Sequence, residues 1–483
     1  MVVTKITKTL LINPKHSYGK KQVYMPSSLY SVASRLMDLG VEATVLDLNI
    51  DELPDISRFQ ENKFQEFDLV GITVFGSAYV PCALNIISDI RKKSNVPIIV
   101  GGQLADKLAD DQFDRIFKKD YKRITKGNDS ELEKMLGIGS TMTSFPGREL
   151  VFLPNRYATA LAPALANVKQ NALKLYLENE FSFFLSNGCM YGCGFCPADK
   201  QQSEKYRTKE VILEDLVFLS ENARKNGIKE LKMYLSSLDL FQNPKLLSES
   251  LQLFAAVQKE YGVTLHLRAL SRVDSFLNAM HDYPQLKKAS HEAGLEMVAF
   301  GVDGTTEQIW KAQHKSQKKL SDVDSALSLC KDLQIKPEML MVMGFPQDTF
   351  YTLLHNYFYT ISRAIEYGAV SRPYLAKSFA PGNEGWNDPK KKEIFADQIE
   401  QIIQNPELFY NLDFAAFGSR LTHPNNYNRF ISNLFYGALI ATLEPFGCNT
   451  TYPLFPYRQE DGVLSKVYNM AAKKLNSLLP VDR

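Results

Sequence analysis

The first 139 residues alternate between short apolar runs and segments with helical periodicity. Apolar runs at residues 9–12, 68–76 ("DLVGITVFG") and 96–102 ("VPIIVGG") are typical of buried strands, and "VEATVLDLN" places an apolar residue at every second position. Helices are predicted over residues 81–94 and before Gly40, where apolar side chains recur at helical spacing, at Leu29, Val32, Leu36 and Leu39. This alternation predicts an α/β, doubly wound (Rossmann-like) domain over residues 1–139, with ligands beyond the carboxyl ends of its strands.

From residue 180 the pattern changes to six strand-then-helix units. The six strands are predicted in "FSFFLSNG", "IKELKMYLSS", "VTLHLRAL", "LEMVAFGVDG", "EMLMVMGFP" and "RPYLAKSFAP". Six successive units predict a partial (β/α)6 barrel over residues 180–385, whose active site gathers at the carboxyl ends of the strands. Residues 140–179 are less regular and are interpreted as a linker, and residues 386–483 as a mostly helical, aromatic-rich cap over the barrel mouth.

Several helix ends in the predicted barrel carry clear signals. Asn243 followed by Pro244 is typical of an N-cap with proline at the first helical position. Glycine stands where four helices are expected to stop, at Gly227, Gly262, Gly294 and Gly368. These signals support the division of this region into repeating units.

The amino-acid composition limits the kinds of molecule that the protein is expected to bind. The chain has 483 residues, 45% of them hydrophobic, and 56 basic against 54 acidic residues give a net charge of +2. Such a balance gives no global attraction to nucleic acid or to an anionic membrane, so a small-molecule substrate is expected. The first residues do not resemble a signal peptide, which favours a cytoplasmic location and reduced thiols.

Three of the six cysteines lie within nine residues, in "GCMYGCGFC". Cys189, Cys193 and Cys196 directly follow the first predicted barrel strand, which puts them at the expected active-site rim. Structural zinc requires four ligands, and no histidine lies near in sequence to complete the set. Three thiolates instead suit a cubane iron-sulfur cluster with one iron left open for chemistry. The other cysteines are interpreted as small buried hydrophobic residues, at Cys82, Cys330 and Cys448.

This loop and several later segments resemble one enzyme family. Cys189-x3-Cys193-x-Phe195-Cys196 matches the C-x3-C-x-aromatic-C motif of radical S-adenosylmethionine (SAM) enzymes. Segments similar to that family's later strands follow in order, in "MYLSSLDLFQNP", "LRALSRVD", "AFGVDG" and "VMGFPQDT". The preceding α/β domain is similar to a cobalamin-binding domain, so residues 8–382 together resemble the cobalamin-dependent radical SAM enzymes.

The resemblance implies specific cofactors and contacts. A [4Fe-4S] cluster held by the three cysteines would bind SAM and cleave it to a 5′-deoxyadenosyl radical, with electrons from a reductant such as flavodoxin or ferredoxin. Phe195 would lie against adenine, Ser236 and Ser237 would meet the amino group of SAM, and Arg268 and Ser271 its carboxylate side. Asp303 would hold the ribose, and Gly344 would allow close approach of the backbone.

The first domain departs from the cobalamin pattern D-x-H-x-x-G. Its corresponding stretch is "PKHSYG", in which His16 stands at the cobalt-ligand position and Gly19 is in register, but Pro14 replaces the acid. A carboxylate that would orient the imidazole is therefore missing locally. Thr73, Gly101 and Gly102 are further candidates for cobalamin contact, because they are polar or side-chain-free positions at predicted strand ends.

Three functions remain open at the level of sequence. The first is methylation of an unactivated carbon in a small natural-product or cofactor-type substrate, with methylcobalamin as the methyl donor. The second uses the same cofactors for a radical rearrangement, cyclisation or oxidation without methyl transfer. The third is a catalytically degenerate protein that binds cluster and corrinoid without turnover.

Overall fold

The computed structural model describes residues 6–15, 23–50, 64–76, 79–108, 110–117, 122–123, 158–196, 203–317, 319–376, 388–389, 393, 426–443 and 470. Within the first 123 residues it contains a parallel sheet of five strands in the order β2-β1-β3-β4-β5. The strands are β1 (Lys8–Asn13), β2 (Glu42–Asp47), β3 (Leu69–Thr73), β4 (Ile98–Gly101) and β5 (Lys122–Arg123). The order reverses between β1 and β3, and this switch point is where such sheets open a crevice for ligands.

Four helices accompany the first sheet, α1 (Ser27–Asp38), α2 (Val80–Arg91), α3 (Gln103–Lys107) and α4 (Asp110–Phe117). Helix α1 ends as predicted before Gly40, which has a φ of 78° and so adopts a conformation that costs glycine little. The sheet core is built from the predicted apolar runs, with Ile12, Val70 and Val100 fully buried. The doubly wound domain predicted from the alternating pattern is therefore confirmed.

Two helices lie inside the segment that the sequence suggested is an irregular linker, namely α5 (Ala162–Leu165) and α6 (Gln170–Leu177). Asp215 accepts hydrogen bonds from the backbone N–H groups of Leu161 and Ala162, at 2.7 and 3.0 Å. A carboxylate that comes from a distant part of the chain thus satisfies amides at the start of α5. Local sequence alone gives no sign of this contact.

The second sheet has six parallel strands in the order β13-β12-β11-β10-β9-β6. Its strands are β6 (Phe181–Phe184), β9 (Glu230–Ser236), β10 (Thr264–Ser271), β11 (Leu295–Gly301), β12 (Lys336–Met343) and β13 (Val370–Leu375). A short antiparallel ribbon, β7 (Ser186–Asn187) with β8 (Lys205–Tyr206), follows β6. All six predicted barrel strands are present, which confirms the repeating units.

Seven helices follow these strands, α7 (Lys209–Lys225), α8 (Pro244–Tyr261), α9 (Val273–Asp282), α10 (Gln285–Ala293), α11 (Glu307–Ala312), α12 (Leu320–Asp332) and α13 (Phe350–Tyr367). Asn243 caps α8 by accepting from the Leu246 N–H at 3.3 Å. The predicted stop glycines adopt left-handed φ angles of 64° to 81°. The start of α8 and the helix ends at these glycines therefore lie at the residues that the sequence predicted.

Helix α1 joins the two sheets. Leu29 and Leu36 of α1 belong to the same buried cluster as Phe181 and Phe183 of β6. The Ser27 hydroxyl also donates to the Ser182 carbonyl at 2.8 Å. A continuous core therefore links the first sheet to the first barrel strand through α1.

A last helix, α14 (Asn426–Leu443), packs on α13 at the side of the barrel. Leu439 and Leu443 are buried against Leu353 and Met343, and the Tyr357 and Thr442 hydroxyls lie 2.8 Å apart. No helix in the described part of the chain combines the length and apolar character needed to cross a membrane.

Candidate functional site

The three-cysteine loop leaves the second sheet just after β6 and β7. Gly188 opens the loop with a φ of 103°, and a Cβ atom there would lie 2.6 Å from the Ser203 carbonyl oxygen. Only glycine fits this position without a shift of backbone. The loop is further fixed because the Gln242 amide donates to the Gly188 carbonyl at 2.8 Å and the Gly194 N–H donates to the Gln313 carbonyl at 2.9 Å.

The thiols of Cys189, Cys193 and Cys196 are unoxidised and only partly exposed. Burial raises the pKa of the Cys189 thiol to about 11, so a bound metal would be needed to hold it as a thiolate at neutral pH. Within the described ranges, no three His, Cys, Asp or Glu side chains are grouped as ligands of a single metal ion. Cys193 and Cys196 share one turn, in which the Cys196 N–H donates to the Cys193 carbonyl at 3.1 Å, and Cys189 precedes this turn in the same loop.

Arg272, the first residue after β10, lies against this loop. Its Nη1 donates to the Cys193 sulfur at 3.7 Å, and its guanidinium carbon is 3.7 Å from the centre of the Tyr191 ring. Asp274 accepts from Nε and Nη2 at 2.9 and 3.0 Å, and Ser316 accepts from Nη2 as well. Burial opposes the charge of Arg272, but the hydrogen bonds to Asp274 outweigh it and raise its pKa above the ordinary value. A permanent cation therefore contacts one of the three thiols.

Asp239 holds the end of β10 in place through hydrogen bonds. This fully buried carboxylate accepts from the Ser271 hydroxyl at 3.0 Å, the Ser275 hydroxyl at 2.5 Å and the Arg272 N–H at 3.1 Å. Burial raises the pKa of Asp239, whereas the Ser275 hydrogen bond lowers it. The Ser271 hydroxyl is thus engaged with Asp239, and its predicted contact with SAM stays a prediction.

Ser236 and Ser237 lie at the end of β9, on the same rim. The Ser237 hydroxyl donates to Glu204 at 3.2 Å, and the Ser186 hydroxyl donates to the same carboxylate oxygen at 2.6 Å. Burial raises the pKa of Glu204 to about 7, although the Ser186 hydrogen bond opposes the shift. The other oxygen, Oε2, is buried without a hydrogen-bond partner. A carboxyl whose pKa is raised to about 7 therefore contacts Ser237, one of the two predicted serines.

Arg268 lies within β10, three residues before its end, and not against the cysteine loop. Its Nη2 donates to Glu180 at 3.1 Å, its Nη1 is 3.7 Å from Glu338, and its guanidinium carbon is 5.2 Å from the centre of the Tyr234 ring. Glu338 is fully buried and also pairs with Arg372. Arg268 thus belongs to an ionic network on the strands themselves, and its predicted contact with SAM stays a prediction.

Asp303 follows β11 and has a φ of 54°, which is uncommon for a residue other than glycine. Its carboxylate accepts from Lys315 Nζ at 2.6 Å, and Lys315 also donates to the Gly301 carbonyl. The Lys315 side chain is only 3% exposed, so this ion pair is well desolvated. Lys315 therefore orients the Asp303 carboxylate. The predicted contact of Asp303 with the ribose stays a prediction.

The segment after β12 forms a tight turn around Asp348. Its Oδ2 accepts from the Gly344 and Phe345 N–H groups at 2.7 and 2.9 Å, and its Oδ1 accepts from the Thr352 hydroxyl at 2.8 Å. Gly344 has a φ of 84°. The Phe345 ring centre lies 5.9 Å from that of Phe195, so the predicted adenine neighbour packs next to this turn.

At the first sheet, Thr73 and Gly101 end adjacent strands and pair in register. Gly102 follows with a φ of 101°, and a Cβ atom there would lie 2.7 Å from the Val74 carbonyl oxygen. These three predicted cobalamin-binding residues therefore share one edge. His16 and Gly19 lie outside the described residues, and their predicted roles stay predictions.

The structure adds residues that sequence reasoning missed, namely Arg272, Asp239, Glu204, Asp348 and Lys315. Arg272 and Asp239 were inside segments already recognised, "LRALSRVD" and "MYLSSLDLFQNP". An acid between two leucines, as in Leu238-Asp239-Leu240, is a usable signal of a buried carboxylate that needs donors. Glu204 and Lys315 carry no such signal, because their partners are distant in sequence.

Comparison with known proteins gives matches at the level of structure. No protein-family model matches this sequence, and no curated protein does either. The radical S-adenosylmethionine methyltransferase TsrM from Kitasatospora setae, with tryptophan substrate and the SAM analogue aza-SAM bound, is similar with a TM-score of 0.58 at 17% identity, over 76% of this chain and 72% of that one. The cobalamin-dependent S-adenosylmethionine radical enzyme OxsB, with aqua-cobalamin bound, is similar with a TM-score of 0.58 at 14% identity, over 99% of this chain and 74% of that one.

These likenesses concern the fold. The chain has the α/β architecture of cobalamin-dependent radical SAM enzymes, with a parallel doubly wound sheet before a six-stranded parallel sheet. The fold class predicted from the sequence is therefore confirmed. Cofactors and chemistry have to be inferred from the residues at the two sheet edges.

Proposed function

We propose that this protein is a cobalamin-dependent radical SAM enzyme that methylates an unactivated carbon of a small-molecule substrate. The observation that carries the proposal is the position of the three-cysteine loop. Cys189, Cys193 and Cys196 follow the first strand of the barrel sheet, at the edge where the other strands also end. A parallel α/β domain of the kind that accepts a flat or nucleotide-bearing ligand precedes this loop in the chain.

The donor set of this loop fits a [4Fe-4S] cluster. The three thiols come from one short loop, and a glycine is required at its start because the Ser203 carbonyl lies against it. Soft thiolates are the usual ligands of iron-sulfur clusters, and three of them leave one iron available to another ligand. The buried cation of Arg272 beside Cys193 also favours bound thiolate and cluster, both of which carry negative charge.

When bound, the cluster and cobalamin would supply one-electron chemistry and a methyl group, and the protein would supply binding and orientation. In this proposal Cys189, Cys193 and Cys196 hold the cluster. Asp239 and Asp274 hold Arg272 in place through the contacts described above. Asp348 fixes the turn at Gly344 by accepting from the Gly344 and Phe345 N–H groups.

The predicted SAM contacts complete the proposal. Ser236 and Ser237 would meet its amino group, Arg268 and Ser271 its carboxylate side, Asp303 its ribose and Phe195 its adenine. Gly344, with its left-handed backbone, would allow close approach. Thr73, Gly101 and Gly102, with His16 and Gly19, would contact cobalamin at the first sheet. The electron donor would be a small redox protein such as a flavodoxin or ferredoxin, and a cytoplasmic location would keep the three thiols reduced.

One anaerobic experiment tests this function. The protein is reconstituted with iron, sulfide and cobalamin, reduced, and supplied with SAM that carries a labelled methyl group and with candidate small molecules. We expect 5′-deoxyadenosine and S-adenosylhomocysteine together, with label in the product. A cluster that leaves SAM intact under strong reduction would contradict the proposal and favour a catalytically degenerate protein.

A second function is supported by one comparison. The likeness to OxsB, a cobalamin-dependent S-adenosylmethionine radical enzyme, extends over 99% of this chain. In this alternative the same cofactors serve a radical rearrangement, cyclisation or oxidation. It predicts 5′-deoxyadenosine without S-adenosylhomocysteine in the same assay.

A further inference from the structure

The guanidinium of Arg272 contacts a thiol while its remaining donors are held elsewhere. Nη1 points to the Cys193 sulfur at 3.7 Å, while Nε and Nη2 are bound by Asp274 and Ser316. The Tyr191 ring, part of the cysteine loop itself, covers the guanidinium at 3.7 Å. Because Asp274 and Ser316 hold Nε and Nη2 while the Tyr191 ring covers one face, Arg272 is oriented toward Cys193 before any cluster binds.

The surroundings let this charge act on its neighbour. The Arg272 side chain is 9% exposed, so solvent and salt screen it weakly. Its partner Asp274 is 31% exposed and lies on the guanidinium edge that Nε and Nη2 form. The pair therefore presents its positive end to the sulfur and its negative end to a better solvated region.

A one-electron reduction adds one negative charge to an iron-sulfur cluster. A cation and an N–H donor at a ligand sulfur stabilise the more negative form, because hydrogen bonds to sulfur and net charge are among the terms that set the potential. Asp239 and the other carboxylates nearby oppose this effect, but they are present whether or not Arg272 is. The contribution of Arg272 can therefore be measured by difference.

We propose that Arg272 sets the reduction potential of the cluster on the cysteine loop, by donating to the Cys193 sulfur, and so makes reduction by a physiological donor easier. This inference rests on the proposed function, because it requires a cluster at these cysteines. It assigns Arg272 to electron delivery rather than to SAM binding. Arg272 is accordingly a positioning residue for the cluster and not a group that touches the substrate.

The test is a redox titration followed by electron paramagnetic resonance, on reconstituted full-length protein without SAM. We expect Arg272→Met to keep its iron and to show a lower midpoint potential. At the wild-type midpoint, the ratio of reduced to oxidised cluster should fall about tenfold, which is about 59 mV for a one-electron couple. Arg272→Lys, which keeps the charge but not the fork of donors, should lie between the two.

The matched control is Arg363→Met. Arg363 has the same arrangement elsewhere, with its Nε and Nη2 on Asp324 at 2.6 and 2.8 Å and its guanidinium carbon 4.6 Å from the centre of the Tyr359 ring. It lies on α13 and makes no described contact with the cysteine loop. We expect no change in potential, and a shift equal to that of Arg272→Met would overturn the inference.

A second variant keeps the test decisive if Arg272→Met does not assemble a cluster. Asp274→Asn preserves shape but removes the countercharge, so Arg272 becomes less compensated and the midpoint potential should rise. An unchanged or lower potential in Asp274→Asn would overturn the inference, as would an unchanged potential in iron-replete Arg272→Met. Failure of the wild-type protein to form a cubane would instead contradict the proposed function, so the two failures are distinguishable.

Discussion

The carboxyl edges of the two sheets are built in different ways. At the barrel sheet, side chains occupy the rim: Arg272 contacts Cys193 and Asp239, and Glu204 accepts separately from Ser237. At the first sheet, the predicted contact positions that the structure describes are Thr73, Gly101 and Gly102, and two of these three residues have no side chain. One edge offers ligands and charges, and the other offers backbone and space.

The difference between the two sheet edges corresponds to two ways of recognising a cofactor. Iron has to be held by specific donor atoms, so its site requires particular residue types at a fixed spacing. A large corrinoid can be held mainly by shape and by close approach to backbone, for which glycine is sufficient. The two edges should therefore respond to different mutations, and each can be damaged without the other.

The largest expected effect comes from removal of a cysteine ligand. Cys193→Ala should lose nearly all cluster iron and all cleavage of SAM, because two thiolates do not hold a cubane. Cobalamin bound at the first sheet should remain. Metal analysis and the absorbance of bound corrinoid measure both properties on one sample.

The control for this variant is Cys330→Ala. Cys330 is a buried thiol of α12, and burial raises its pKa to about 12, so it is expected to be inert. Iron content should stay at the wild-type level. Equal loss of iron in both variants would show that the three-cysteine loop is not the cluster site.

Gly102→Ala should produce the converse result. The new Cβ atom would lie 2.7 Å from the Val74 carbonyl oxygen, and the φ of 101° strains any other residue by about 1 to 3 kcal/mol. We expect cobalamin affinity to fall about tenfold, equivalent to about 1.4 kcal/mol, while iron content is unchanged. Equilibrium binding of aqua-cobalamin to the purified variants measures this effect.

Gly40→Ala is the matched control for Gly102→Ala. Gly40 also has a positive φ, of 78°, but no atom lies within 4 Å of its would-be Cβ. It should therefore lower stability slightly and leave cobalamin affinity intact. Loss of cobalamin from both variants would mean that strain in the domain, and not the edge at Gly102, explains the result.

Asp239→Asn tests the role of the hydrogen bonds that Asp239 accepts at the barrel rim. The amide NH2 would replace one carboxylate oxygen and so face either the Ser275 hydroxyl or the pair formed by the Ser271 hydroxyl and the Arg272 N–H, with a cost in stability of about 3 kcal/mol. The melting temperature should fall, and SAM affinity should weaken about tenfold because the end of β10 loses its anchor. Calorimetric titration with SAM and a melting curve would check both. An unchanged affinity for SAM would contradict the expectation that Asp239 supports the SAM site.

A smaller effect, dependent on pH, is expected at Glu204. Its pKa is raised from 4.5 to about 7, so between these values the folded state holds a proton that the unfolded state has lost. Wild-type stability should therefore fall, relative to Glu204→Gln, as pH rises through this window, by about 2 kcal/mol. Melting temperatures of both proteins at pH 5 and pH 8 test this. A constant difference between them would contradict the raised pKa.

Much of the fold was accessible from sequence because burial and periodicity are local properties. The runs "DLVGITVFG" and "EMLMVMGFP" became buried parallel strands, and Gly262 and Gly294 ended helices where predicted. The short helix α5 was missed because Asp215, from a distant part of the chain, satisfies amides at its start. Contacts of this kind leave no trace in the local pattern.

The candidate site divides in the same way. The three cysteines could be predicted because their chemistry requires a compact motif. The neighbours of Cys193 could not, since Arg272 reaches the loop across 79 residues of sequence. Likewise Lys315 meets Asp303 only because the chain after β11 turns back, and no spacing rule links the two. Spatial partners of a motif follow from the fold, whereas the motif follows from the chemistry.

The proposed function requires that the three-cysteine loop holds a [4Fe-4S] cubane with one iron open to SAM. The most direct measurement is electron paramagnetic resonance of the reduced, reconstituted wild-type protein before and after addition of SAM. We expect a [4Fe-4S]⁺ signal that changes shape when SAM is added, and loss of the signal in Cys193→Ala. A signal that SAM leaves unchanged, or protein that takes up zinc and no cubane, would contradict it.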